Sequence, residues 1–278
     1  VSVITNPFFS HMVRGAEDAA LERNYLLLTF NTDDRVEREK QVLAVLRAQR
    51  VDGILLVVAP SSEPPAHIEA VLEVGMPVVC LDRLPPGIHV DSVSVDNVAA
   101  SRDCVRHLLS RGHRRIAIIT GSMVLPNAQE RLQGFREALE EAGVPISPAL
   151  IHEGDFHAES GYRLGREILR QRDRPTALFI SNALMALGVM KALGELGLRC
   201  PQEIALATFD DLPLAEVFRP GLTAVAQPAY AIGYRGAELL NQRIQAEATH
   251  LAPVTIRLPT ELKIRESTLG FKPRRRRR

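Results

Sequence analysis

Cysteine is scarce in this 278-residue chain, and Cys80, Cys104 and Cys200 lie far apart. No Cys-x-x-Cys pair occurs, so neither a disulfide scaffold nor a zinc ribbon is expected, and a reducing, cytoplasmic setting is favoured. A run of about 18 apolar residues, the minimum for a membrane-spanning helix, is missing, and so is a basic segment leading into a signal-peptide core. The Gly-rich loops that cradle nucleotide phosphates, G-x-G-x-x-G and G-x-x-x-x-G-K-[ST], do not occur. Neither H-E-x-x-H nor G-x-S-x-G is present, and nothing favours a dispersed nucleophilic triad. The eight histidines show no paired spacing on one helix, so no metal and no cofactor is expected, and they read as solvated or capping residues. No enzymatic chemistry is indicated.

What is present is the composition of a folded protein: 46% hydrophobic and 24% charged residues. A chain of this length buries roughly three quarters of its unfolded surface and has room for one large α/β unit or two lobes. The net charge of +1 hides an asymmetry. Five of the 34 basic residues are Arg274 to Arg278, leaving 29 against 33 acidic ones and a balance of −4 for the rest. The body therefore carries no electrostatic footprint for nucleic acid, and 270–278 reads as a disordered, solvated extension. The chain opens at Val1 inside an apolar, strand-like run and reads as a piece of a longer protein.

Short continuous apolar runs at 26–30, 53–58, 78–81, 116–119, 177–180, 204–207 and 222–226 suit strands covered on both faces. Between them, 11–23, 35–49, 98–110, 129–142, 160–170, 183–196 and 231–244 show helical apolar spacing, with Gly112, Gly143 and Gly197 placed as C-caps. Strand–helix alternation of this kind predicts an α/β fold with parallel sheets. A helix–turn–strand unit recurs, Arg50-Val51-Asp52-Gly53 before Ile54 and Arg111-Gly112-His113-Arg114-Arg115 before Ile116. Two comparable arrays suggest two lobes and a cleft lined by strand-to-helix loops.

Those loops hold the informative side chains. Phe8 and Phe9 follow the first apolar run; Asp82, Asn127 with Arg131, Phe156, Asn182, Asp210 and Gln227 follow later ones. Aromatic faces, carboxylates, amides and one arginine are the inventory that recognises a polyhydroxylated ring or acid. With no second evident basic residue in the cleft, Arg131 would serve a single carboxylate or vicinal hydroxyls. Each residue also has a plainer role: Phe8 and Phe9 as a helix staple, Asn182 and the Asp210-Asp211 pair as caps, Asp82 as a turn former and Arg131 as a surface arginine.

Asn6-Pro7-Phe8-Phe9, Arg131-Leu132-Gln133-Gly134-Phe135, Thr208-Phe209-Asp210-Asp211, 220–228 (Pro-Gly-Leu-Thr-Ala-Val-Ala-Gln-Pro) and Leu258-Pro259-Thr260-Glu261-Leu262 with Arg265-Glu266-Ser267-Thr268 occur in order. Together they resemble the effector-binding core of the LacI/GalR family of bacterial transcription regulators, over Val1 to about Leu269, with wording most like members that respond to sugar acids. The resemblance implies a periplasmic-binding-protein-like fold: two Rossmann-like lobes, 1–95 with 227–257 and 96–226 with 258–269, joined by three crossovers. It implies a homodimer and a helix-turn-helix head for operator DNA, which this chain lacks. Carried onto this sequence, Phe8 and Phe9 become pocket walls, Asp82 and Asn127 polar contacts, Arg131 the binder of hydroxyls or a carboxylate, and Phe156 a stacking ring. Asn182, Asp210 and Gln227 complete the set. Leu125 stands where purine-responsive members place a basic side chain, which argues against a purine. The rival readings are a secreted sugar-binding protein of a transporter, with the same fold, and an enzyme on a two-lobed scaffold.

Overall fold

The computed structural model describes residues 1–213, 215–246 and 252–270. In chain order the elements are α1 (Pro7–Leu21), α2 (Val36–Ala48), β1 (Ile54–Leu56), α3 (Ala66–Leu72), β2 (Val78–Leu81), β3 (Asp91–Val95), α4 (Asn97–Ser110), β4 (Ile116–Thr120) and α5 (Pro126–Glu141). Then follow β5 (Ile151–Glu153), α6 (Ala158–Arg170), β6 (Ala177–Ile180), α7 (Ala183–Glu195), β7 (Ala205–Phe209), β8 (Thr223–Ala226), α8 (Ala229–Gln245), β9 (Thr255–Leu258) and β10 (Glu261–Lys263). The chain divides into two compact units. Unit 1 comprises Val1–Asp96, Val124–Asn127 and Pro228–Pro259; unit 2 comprises Asn97–Met123, Ala128–Gln227 and the described residues from Thr260 on.

Unit 1 holds a sheet of order β1-β2-β3-β9, parallel throughout. Unit 2 holds a sheet of order β10-β8-β7-β6-β4-β5, parallel except for β10, which runs antiparallel to β8. The apolar runs explain the interior strands. β4, β6 and β7 are buried at every position, with Ile116, Ile118, Phe179 and Phe209 among the fully enclosed side chains, as a sheet with both faces covered requires.

Helix ends follow local chemistry. Asn6 caps α1 by accepting from Phe8 N at 3.1 Å, and Pro7 occupies the first helical position, where no donor is needed. Gly112, Gly143 and Gly197 take positive φ just beyond α4, α5 and α7, and the residue after each donates back to the carbonyl five positions earlier, closing the helix.

Several elements escape the apolar pattern. β3 reads Asp-Ser-Val-Ser-Val, yet lies buried between β2 and β9. Its Asp91 is satisfied by Arg243, at 2.7 and 2.8 Å, and by Val254 N at 2.7 Å. α3, β5, β9 and β10 are too short or too polar to show a period. Conversely, 26–30 forms no strand in the structure: it has no ladder, and Leu26 and Leu28 are 84% and 68% exposed. The expectation for the arginine run falls on 271–278, outside the described residues.

Candidate functional site

In unit 2, one buried guanidinium gathers the predicted residues. Arg131 sits on the second turn of α5, only 2% exposed, so the reading of it as a surface arginine is wrong. Its Nε donates to Asn97 Oδ1 at 2.9 Å and one terminal nitrogen to the Ser181 carbonyl at 2.7 Å. The guanidinium carbon lies 3.8 Å from the centre of the Phe209 ring and 5.8 Å from that of Phe156, so the cation is held against two aromatic rings. Asn97 is itself fixed by donating to Glu130 at 2.8 Å.

Beside Phe209, Asp210 accepts from Gln227 Nε2 at 2.6 Å. That bond orients the amide, and Gln227 Oε1 is left buried without a hydrogen-bond partner among the described residues. Ser181 Oγ is in the same condition. Asn182 is committed on both sides: Oδ1 caps α7 through Met185 N at 2.9 Å, and Nδ2 donates to the Phe156 carbonyl at 2.8 Å. The capping role expected of it is therefore present. Phe156 lies so close to Gly121 that a Cβ there would fall 1.9 Å from the ring. Asp211 is structural, paired with Arg265 at 2.7 Å and Lys263 at 3.1 Å. Burial pushes its pKa up, but the hydrogen bonds from Arg265 and Lys263 win and hold the carboxyl below its ordinary value.

In unit 1, Phe8, Phe9 and Asp82 also belong to one constellation. The Phe8 and Phe9 rings meet edge to face with centroids 5.2 Å apart, and Phe9 is 3% exposed. Its centre, a sequence-adjacent arginine, escaped the sequence reading. Arg83 is 3% exposed, lies 5.6 Å over the Phe9 ring, contacts Asp82 at 3.9 Å and Asp34 at 2.5 Å, and donates to Ser2 Oγ at 3.2 Å. The expectation that Arg131 is the sole basic residue beside the predicted set is thus corrected. The signal was available: Asp82-Arg83 follows four buried apolar residues, where unpaired charge is costly. Asn127, the second residue of α5, falls in the short stretch assigned to unit 1, buried with Oδ1 unpartnered among the described residues.

Backbone conformation marks three of these positions independently. Asp82, Phe156 and Asp210 have φ of 62°, 70° and 68°, in the left-handed region that a non-glycine residue enters at a cost of order 1–3 kcal/mol. Each stands just past the carboxyl end of a strand, β2, β5 or β7. The sequence carries only a weak signal for this, since aspartate is among the non-glycine residues enriched in that region and phenylalanine is not.

The histidines correct a further expectation. His113 is fully buried and bonds Thr176 Oγ1 through Nδ1 at 3.0 Å. Burial, assisted by His107 and Arg111, lowers its pKa to about 4. Among the described residues no group of three His, Cys, Asp or Glu side chains is placed to hold a metal, and no helix is long and apolar enough to cross a membrane.

Residues 105–268 match the family model described as a periplasmic binding protein-like domain. Over 241 residues the chain is 33% identical to the HTH-type transcriptional repressor PurR of Aliivibrio salmonicida, covering 86% of this chain and 72% of that protein. The chain belongs to the LacI family of transcriptional regulators. A LacI family regulator from Enterococcus faecium, solved with bound ribose, superposes with a TM-score of 0.83 at 30% identity, covering 96% of each chain. The transcriptional regulator CelR, solved as a cellobiose complex, gives a TM-score of 0.85 at 34% identity over 94% of this chain and 79% of that one. The LacI-family chain described here is therefore the effector-binding portion of a transcription regulator, in preference to a transporter's binding protein.

Proposed function

We propose that this domain binds a polyhydroxylated effector, a sugar or sugar acid, and through it controls operator binding by a helix-turn-helix head, in a cytoplasmic homodimer that leaves the effector chemically unchanged. The observation that carries the reading is the acceptor at Gln227 Oε1, unmet among the described residues and held in orientation by Asp210, together with the buried Arg131 guanidinium held against the Phe156 and Phe209 rings. A buried acceptor without a protein donor is met by a ligand or by an ordered water that a ligand can displace. Hydroxyl groups supply donors for Gln227 and acceptors for the guanidinium, and the C–H face of a sugar ring suits an aromatic wall. Phe8, Phe9, Asp82 and Asn127 are proposed to contact the same effector. Arg83 is paired with Asp34 and Asp82, so it serves to hold Asp82 and the Phe9 ring in place. The sugars in the ribose and cellobiose complexes of its relatives support the class. Dimer contacts are proposed for the exposed faces of α1 and α2.

A thermal-shift screen against aldoses, polyols, aldonates, ketoaldonates, phosphorylated sugars and purines tests this, with calorimetry on each hit. At 100 times its Kd an effector stabilises the domain by about 2.7 kcal/mol, a clear rise in midpoint. Arg131→Ala and Gln227→Leu are expected to weaken binding by roughly 100-fold and 10-fold, a loss of about 2.7 and 1.4 kcal/mol. A purine as the one hit, or a sugar whose binding ignores both substitutions, refutes the assignment. Recovery of the bound sugar as a different compound would make the domain an enzyme.

A further inference from the structure

The acidic balance of the body conceals how its charges are placed in unit 2. β4, β6 and β7 run parallel, so the connections that enter them, 110–115, 170–176 and 196–204, all meet the sheet at its amino end. Phe156, Asn182 and Asp210 lie at the other end, past the carboxyl ends of their strands. The three connections hold seven arginines and two carboxylates. Arg111, Arg114 and Arg115 precede β4, Arg170, Arg172 and Arg174 precede β6, and Arg199 precedes β7. Backbone bonds draw these connections together: Thr176 N donates to the Arg115 carbonyl at 2.8 Å, and Ala205 N to that of Thr176 at 2.9 Å.

Both carboxylates are already occupied. Asp173 pairs with Arg115 at 3.2 Å, and Glu203 with Arg174 and Arg199 at 3.3 and 3.4 Å. Helix ends draw basic residues because their last carbonyls are unpaired, and Arg114 answers that need for α4 by donating to the Leu109 carbonyl at 3.1 Å. Arg111, Arg170 and Arg172 remain: each is exposed and makes no side-chain hydrogen bond or ion pair among the described residues. The positive field at this end reaches into the protein, where His107 and His113 have lowered pKa values, through burial first and then through neighbouring charge that includes Arg111.

The carboxyl-terminal segment returns to the same end. Ser267 Oγ accepts from Thr223 N at 2.8 Å and donates to the Leu206 carbonyl at 2.6 Å, at the starts of β8 and β7. Thr268 Oγ1 bonds His107 Nε2 at 2.8 Å in the last turn of α4. Lys272 and Arg274 to Arg278 follow a few residues on in sequence. Two sources of positive charge, one scattered and one contiguous, are therefore joined to one end of unit 2. Like charges gathered in this way repel one another, and a polyanion relieves the repulsion.

We propose that the amino end of the unit 2 sheet is a contact for the phosphate backbone of duplex DNA, indifferent to base sequence and centred on Arg111, Arg170 and Arg172, with 274–278 adding to it. Guanidinium groups match phosphate oxygens in charge and in hydrogen-bonding geometry. Exposed arginines on separate connections suit phosphates spaced along a duplex better than one compact anion. DNA is favoured over an acidic protein because a transcription regulator works within reach of it. The contact uses none of the residues proposed for the effector, so it stands or falls apart from that assignment.

The test is fluorescence anisotropy of two labelled duplexes of unrelated sequence, about 30 base pairs each, titrated with protein at roughly 25 to 200 mM salt. The full chain and the chain lacking 274–278 are compared, each with Arg111→Glu, Arg170→Glu and Arg172→Glu together. The control carries Arg50→Glu, Arg136→Glu and Arg163→Glu together, an equal change in net charge at exposed positions elsewhere. Thermal midpoints are read alongside, and glutamine variants replace any reversal that unfolds the chain. The proposal expects both duplexes to bind alike and the deletion to weaken binding without abolishing it. It expects the first triple to cost at least about tenfold more affinity than the control, and to lower the slope of log K against log salt by about 2 to 3. Equal losses from the two triples, an unchanged slope, no binding at the lowest salt, or displacement of the DNA by polyglutamate as readily as by unlabelled duplex would each overturn it.

Discussion

At the scale of single residues, His113 and Arg131 show how burial decides a role that composition leaves open. His113 follows the glycine that closes α4, where a histidine is ordinarily solvated, but its ring is enclosed and its pKa falls to about 4. The unfolded chain takes up its proton near pH 6.5, so between that value and about 4 the unfolded state binds more protons than the folded one. Its contribution to stability is therefore complete above pH 6.5 and is lost as pH falls towards 4, by an amount on the order of 3 kcal/mol. Urea unfolding from pH 7.5 to 4 should show this decline, and the His113 ring protons should not titrate above about pH 5. A normal titration near 6.5 would contradict the buried, neutral assignment. Arg131 carries its charge into the interior because two aromatic rings, an amide and a carbonyl receive it.

At the scale of elements, helix pairs are set by small residues at crossings. α6 and α7 approach through Gly161 and Gly188, where an added Cβ would lie 2.2 Å from the Met185 carbonyl and 2.0 Å from the Ala158 carbonyl. α1 and α8 do the same through Gly15 and Gly233, facing the backbone of Tyr230 and Met12 at 2.0 and 1.8 Å. Each obstacle is backbone, which cannot swing aside as a side chain does. Gly188→Ala raises helix propensity by about 1 kcal/mol yet is expected to destabilise unit 2 by a net 1–3 kcal/mol, because overpacking wins. Gly194→Ala lies on the same helix with nothing within 4 Å and should stabilise slightly. Chemical denaturation of the two variants separates propensity from packing, and equal effects would refute the close-approach account.

At the scale of the whole molecule, charge is distributed so that the body and the carboxyl-terminal run differ in sign. Deleting 274–278 takes the formal net charge from +1 to −4. Retention on immobilised polyanion should then fall to a markedly lower salt concentration, since each lost phosphate contact removes counterion release. Effector binding should be unchanged. If the truncated chain elutes at the same salt as the intact one, the body itself holds a basic patch that the charge balance conceals.

The α/β class, the parallel sheets and most helix boundaries follow from the sequence alone, because apolar period and capping glycines are local properties. Membership in the LacI family is legible for a similar reason, through motifs such as Arg131 to Phe135 and Thr208 to Asp211 that are contiguous in the chain. The nine site candidates could be nominated from their positions after apolar runs, but what each one does could not. That Asn182 spends both its polar atoms on Met185 and Phe156, that Gln227 keeps one oxygen unmet among the described residues, and that Arg83 stands at the centre of the unit 1 set are consequences of contacts between distant segments. β3 is a strand because β2 and β9 flank it, and 26–30 is not one because no strand ladder forms along it among the described residues. Local period determines which segments can become strands and helices. Only the tertiary structure, by supplying or withholding neighbours, decides which do and which polar atoms remain for a ligand.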